Sequence, residues 1–142
     1  MKPFLFAILM CSALPTWAAS CAGLQVENGW IRSAPPGATM MAGYATVKNS
    51  NTKARTLRDV SGKDFEAIEV HKTVVENGVS KMVYLETVDV PASGSARFEP
   101  GGMHLMLFNP KRALKAGDTL ELAFSCGGKK RLKANFLVKD AP

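Results

Sequence analysis

Two histidines occur in the chain, His71 and His104, and each has a methionine within local reach. His104-Leu105-Met106 falls in an alternating stretch that reads as a β-strand, where residues two apart face the same way. His104 and Met106 therefore share one face, while Met103, Leu105 and Leu107 share the other. His71 ends a second predicted strand, Phe65 to Lys72, and Asn77-Gly78 marks a tight hairpin turn beyond it. The returning arm brings Met82 back toward His71. Two imidazoles and two thioethers form a soft donor set that suits Cu(I), whereas zinc and magnesium favour thiolate, imidazole or oxygen ligands. Thioethers also suit an oxidising compartment, where free thiolates are drawn into disulfides.

That compartment is indicated by the N-terminus. Lys2 precedes an apolar run from Pro3 to Leu14, Pro15 breaks it, and small residues Ala18, Ala19 and Ser20 follow. This is the layout of a secretory signal, read here as residues 1–19, with the cut after Ala18 or Ala19. The run is shorter than the about 20 apolar residues that a membrane span needs. A lipoprotein signal on Cys21 is the competing reading, although Ala18 stands where such signals usually carry leucine. Removing the segment takes away one charge, Lys2, and leaves 17 basic against 12 acidic residues, a balance of +5. The one basic run, Lys129-Lys130-Arg131, follows Gly127-Gly128 at a hairpin tip. Nucleic-acid binding wants a wider basic face with interleaved aromatics.

Two cysteines survive processing, Cys21 and Cys126. An even count in an oxidising compartment suggests one disulfide, and a separation of about a hundred residues is no metal-loop spacing.

The elements that must position these groups are strands. Apolar alternation is cut by turn residues every ten or so positions, the pattern of a sandwich or barrel. Leu24 to Arg32 is the first strand, with Gly29 a bulge, and Ser33 to Gly37 is a proline-bearing loop. Further strands are expected over Gly43–Asn49, Thr56–Val60, Phe65–Lys72, Ser80–Val90, Ala96–Glu99, Met103–Phe108, Thr119–Cys126 and Leu132–Val138. Residues 20–142 read as one β-domain. In sandwiches of this class the first strand often lies parallel beside the last, which sets Cys21 near the hairpin tip that carries Cys126. Trp30 and Met103 are expected in the core, and Met40 and Met41 in packing or at the surface.

The joint spacing of the four donors is His71-x10-Met82-x21-His104-x-Met106. It resembles the motif of the PCuAC family of periplasmic copper chaperones. Trp30-Ile31-Arg32, Pro35-Pro36-Gly37, Ala42-Gly43-Tyr44, Glu76-Asn77-Gly78-Val79 and Pro100-Gly101-Gly102-Met103-His104-Leu105-Met106 look like further landmarks of that family. The resemblance implies a single cupredoxin-like, Greek-key β-barrel or sandwich that binds Cu(I) in the periplasm. It also implies delivery to the copper centre of a membrane-bound haem-copper oxidase, with His71, Met82, His104 and Met106 as ligands. Two departures stand out. Val74, Val75 and Val79 occupy a stretch where many members carry extra methionines. The chain also ends Val138-Lys139-Asp140-Ala141-Pro142, without a His- and Met-rich tail, so no second metal site is expected there.

Other functions are less well served. A blue-copper centre needs a cysteine thiolate beside its histidines, and Cys126 follows both histidines with no ligand beyond it. No paired carboxylates or nucleophile–base set points to an enzyme. Copper storage or detoxification would use the same four side chains and differ in the fate of the metal.

Overall fold

A computed structural model describes residues 20–142; the signal read at 1–19 lies outside the described residues. The described chain is all strand, in the order β1 (Leu24–Arg32), β2 (Met40–Asn49), β3 (Arg55–Leu57), β4 (Asp59–Ser61), β5 (Phe65–Glu76), β6 (Val79–Tyr84), β7 (Val88–Val90), β8 (Ser95–Phe98), β9 (Met103–Pro110), β10 (Thr119–Ser125) and β11 (Leu132–Lys139). Nine of these form one long sheet, ordered β4-β10-β11-β1-β2-β8-β9-β5-β6, and β3 pairs with β7 in a small second sheet. The sheet is not closed into a barrel; the architecture is a sandwich.

Period-two alternation explains which residues are inside. Leu120, Leu122 and Phe124 of β10 point inward, as do Phe136 and Val138 of β11 and Leu105 and Leu107 of β9. Ile31 takes the inner position on β1, so its neighbour Trp30 must point out. The core position expected for Trp30 is thus corrected. It stands opposite Tyr44 on β2, with ring centres 4.6 Å apart and the Lys139 ammonium 4.8 Å above it. Met41 is buried and Met40 exposed, while Met103 packs against the core from a partly buried position.

Two expected strands are each divided in the structure. The stretch read as Thr56–Val60 breaks at Arg58, whose N–H donates to Ser125 O at 2.8 Å. The chain there leaves the small sheet and joins the edge of the large one. Similarly, Ser80–Val90 separates into β6 and β7 as the chain crosses between sheets, with Leu85 N–H donating to Val70 O. Conversely, β9 runs on through Asn109 to Pro110, which pairs with Phe65. A proline is tolerated at that strand end, where its missing N–H is not required by the ladder.

β5 extends four residues past Lys72 because the hairpin supports it. Asn77 and Gly78 both have positive φ, 51° and 75°, as a two-residue turn that matches strand twist requires. Glu76 and Val79 then face each other, and pairing continues back to His71 opposite Tyr84. At the far end of β2, the Asn49 side chain is buried. It donates to the carbonyls of Lys53, Val90 and Pro91 and accepts from Asn51, which ties the loop after β2 to the end of β7.

β1 lies parallel to β11, with Trp30 opposite Leu137, and antiparallel to β2. Cys21 and Cys126 are joined by a disulfide with Cα atoms 5.3 Å apart, closing 105 residues of sequence. Register on β1 shifts between Glu27 and Trp30, at the expected bulge. A Cβ at Gly29 would lie 2.9 Å from the Asn135 carbonyl oxygen and 3.1 Å from the Phe136 ring. The first of these is backbone and cannot turn aside. Gly29→Ala is therefore expected to destabilise the fold by about 1–3 kcal/mol through overpacking. Urea unfolding would measure it, and an unchanged midpoint would refute the close approach.

Candidate metal centre

The centre of the site is β5, held between β9 and β6. His71 is directly opposite His104 on β9 and Tyr84 on β6, Glu69 is opposite Met106, and Thr73 is opposite Met82. Residues paired across antiparallel strands share a face, as do residues two apart on one strand. Glu69, His71 and Thr73 therefore form one row, flanked on one side by Met106 and His104 and on the other by Tyr84 and Met82. All four residues singled out by their spacing stand on this one face. The two methionines lie on either side of the histidine pair along the strand direction.

Their environments differ. His104 is 5% exposed and Met106 9%, whereas Met82 is 61% exposed on the edge strand. The β9 side of the face is closed by packing: Ala42 on β2 lies opposite Met106 and Phe108 follows on β9, its ring 6.5 Å from that of His71. The β6 side is open, and every β6 residue is exposed, including the apolar Val79, Met82, Val83 and Tyr84. One wall is thus packed, and the other faces solvent.

The ring centres of His71 and His104 are 6.2 Å apart. An ion bound to an imidazole nitrogen at about 2.0 Å lies about 3.1 Å from the ring centre. Two rings sharing one ion can then stand at most about 6.3 Å apart. The observed pair is within that reach. His71 Nε2 is 2.7 Å from a Glu69 carboxylate oxygen, and His104 Nδ1 is 3.1 Å from the Gly102 carbonyl oxygen. The remaining ring nitrogens, His71 Nδ1 and His104 Nε2, are buried without a hydrogen-bond partner. Among the described residues only one other buried side-chain nitrogen or oxygen, Arg55 Nε, is in that condition. Leaving such a group unpaired costs about 1–3 kcal/mol, and these two belong to rings that face each other across β5 and β9.

Glu69 did not figure among the sequence candidates. The signal was present, since Glu69 and His71 are two apart on one strand, the same relation that joined His104 to Met106. Its hard oxygen was not sought beside soft donors. The ring centre of Tyr84 is 6.0 Å from that of His71, on the open side of the face.

The profile of the LpqE-like family, described as "Putative lipoprotein LpqE-like", matches residues 24–138. The "Putative lipoprotein Lxx21020" of Leifsonia xyli subsp. xyli is 31% identical over 108 residues, which are 74% of this chain and 64% of that protein. An uncharacterised protein of Rickettsia prowazekii is 39% identical over 85 residues, 57% of this chain and 45% of that protein. The chain thus spans less than two-thirds of the length of either relative. Among solved structures, the copper-bound PCuAC domain from PmoF2 superposes with a TM-score of 0.68 at 21% identity, covering 84% of this chain and 94% of that one. The solution structure of CuI-DR1885 from Deinococcus radiodurans gives 0.59 at 23% identity, covering 92% and 82%. At these identities the likeness is one of fold. With the profile spanning nearly all the described residues, this chain belongs to the LpqE-like family, and it shares the fold of the PCuAC domains.

Proposed function

We propose that this protein is a periplasmic copper chaperone that holds Cu(I) between His71, Met82, His104 and Met106 and delivers it to the copper centre of a haem-copper oxidase. The observation that carries the reading is the directly opposed histidine pair, each ring keeping one buried nitrogen without a partner, with a thioether on either side. Among the described residues, no three His, Cys, Asp or Glu side chains gather to hold a metal ion. The thioethers of Met82 and Met106, on the same face as the histidine pair, would complete the donor set. Imidazole with thioether selects Cu(I) over zinc or magnesium. The copper-bound relatives of this fold, from PmoF2 and DR1885, support the same cargo.

The asymmetry of the site suits transfer. His104 and Met106 are fixed in packed surroundings, while Met82 is on an exposed edge. An acceptor thioether or imidazole would replace Met82 first, and the buried pair would let go last. Binding and release, not turnover, are the work of such a protein. The basic balance of the mature chain favours encounter with an acidic acceptor.

Export through the N-terminal segment places the chain in the periplasm, and no helix among the described residues is long and apolar enough to cross a membrane. A sulfur held in the Cys21–Cys126 disulfide is not free to carry a lipid thioether, so we assign the simple signal rather than the lipoprotein one.

Storage or detoxification is the alternative use of the same site. The experiment that decides is a Cu(I) titration against a competing chelator, followed by mixing the loaded protein with an apo oxidase copper domain. A chaperone gives one tight equivalent and transfers most of it within minutes. Tight binding without transfer would favour storage, and absence of competitive binding would remove copper from the account.

A further inference from the structure

Each imidazole has two nitrogens, and in this site they are not equivalent. The partner of His71 Nε2 is a carboxylate oxygen of Glu69 at 2.7 Å. A carboxylate only accepts, so the hydrogen is on Nε2, and in the neutral ring Nδ1 carries the free lone pair. The partner of His104 Nδ1 is the Gly102 carbonyl oxygen at 3.1 Å, which also only accepts. There the hydrogen is on Nδ1 and the lone pair is on Nε2. The two nitrogens left bare by these bonds are the two that are buried without a partner. Four separate observations thus select one nitrogen on each ring.

Resting on the copper reading above, we propose that Cu(I) is taken by Nδ1 of His71 and Nε2 of His104, and that Glu69 is the positioning residue that enforces this choice at His71.

The two anchors differ in kind. His104 is oriented by a backbone carbonyl two residues before it, so its geometry comes with the turn that opens β9. His71 is oriented by a side chain, and that side chain is half exposed, at 44%. Glu69 could satisfy its carboxylate with water at little cost. Its stay on the ring selects the tautomer, strengthens the opposite nitrogen as a donor and sets an anion close to a monovalent cation. The same residue is opposite Met106 across the strand pair, which keeps the carboxylate on the face where the metal would sit. Because that anchor is a side chain, His71 is the ring whose hold can be altered without touching the backbone.

The test uses the mature chain labelled with 15N histidine, in long-range proton–nitrogen NMR without metal and with one equivalent of Cu(I), which is diamagnetic. Glu69→Ala and Glu69→Gln are compared with the parent. Without metal, the expected tautomers are Nε2–H for His71 and Nδ1–H for His104. With Cu(I), the metal-induced shifts fall on His71 Nδ1 and His104 Nε2. Glu69→Ala mixes the His71 tautomers and weakens Cu(I) binding by about 10- to 100-fold, the usual effect of losing an outer-sphere anchor. Glu69→Gln, whose amide oxygen still accepts from Nε2, restores most of it, which a purely structural defect would not allow.

A Cu(I) shift on His71 Nε2 or His104 Nδ1 would overturn the proposal and leave the copper site standing. Unchanged tautomers and affinity in Glu69→Ala would remove Glu69 from its role. If no ring nitrogen responded to Cu(I) at all, this proposal and the copper reading would fall together.

Discussion

His104→Ala is expected to lower Cu(I) affinity by more than about 100-fold while the domain stays folded. Outer-sphere substitutions at metal sites cost about 10- to 100-fold, and this one removes a donor outright. His104 is the most enclosed of the four residues, with its Nε2 turned to no protein partner, so no neighbouring group can take its place. The companion variant is Met106→Leu, which keeps volume and apolar character but removes the sulfur. A volume-conserving exchange costs under about 1.5 kcal/mol of stability, so a large fall in affinity would report ligation rather than packing. Chelator competition and a urea titration on the same samples separate the two. Parent-like affinity in both variants would end the site assignment.

The second large effect is at the opposite end of the sandwich. Removing the disulfide with Cys21→Ser and Cys126→Ser is expected to lower unfolding free energy by about 2–5 kcal/mol, because the bridge closes 105 residues of otherwise free chain. With a urea slope of about 1–3 kcal/mol/M, the midpoint should fall by roughly 1 M or more. Copper affinity should hardly change. Leu24, near the bridge, pairs with Asn49, seven residues along β2 from Ala42, which stands opposite Met106. At strand rise that is about 20 Å or more. A disulfide-free protein that folds as firmly as the parent would contradict the entropic role, and one that folds but loses copper would show coupling between the two ends.

Between these two sites the sequence was unequally legible. The face shared by His104 and Met106 followed from strand periodicity alone, and so did the inward set of β9, β10 and β11. The Asn77-Gly78 turn was readable because its backbone conformation admits few residue types. Errors clustered where the chain crosses between sheets. Thr56–Val60 and Ser80–Val90 each carry enough apolar alternation for one strand, and nothing local says that Arg58 gives its N–H to β10 of the other sheet or that pairing with β5 ends at Leu85. Trp30 was misplaced for a similar reason: an aromatic reads as core until its neighbour Ile31 claims the inner position. Asn49 read only as the end of a strand, and its buried amide linking the loop after β2 to the end of β7 is visible only in the folded chain.

Residue order by itself determined the strand periods, the tight turn, the pool of soft donors and the pair of cysteines available to each other, since each depends on neighbours within a few positions. Only the tertiary structure decided that β5 lies against β9 with His71 opposite His104, that Met82 is left on an open edge, and that Glu69 and Gly102 each occupy one ring nitrogen. The first arises from register between segments about thirty residues apart, and the others from the sheet edge and from burial, which belong to the whole sandwich and to no single stretch of it.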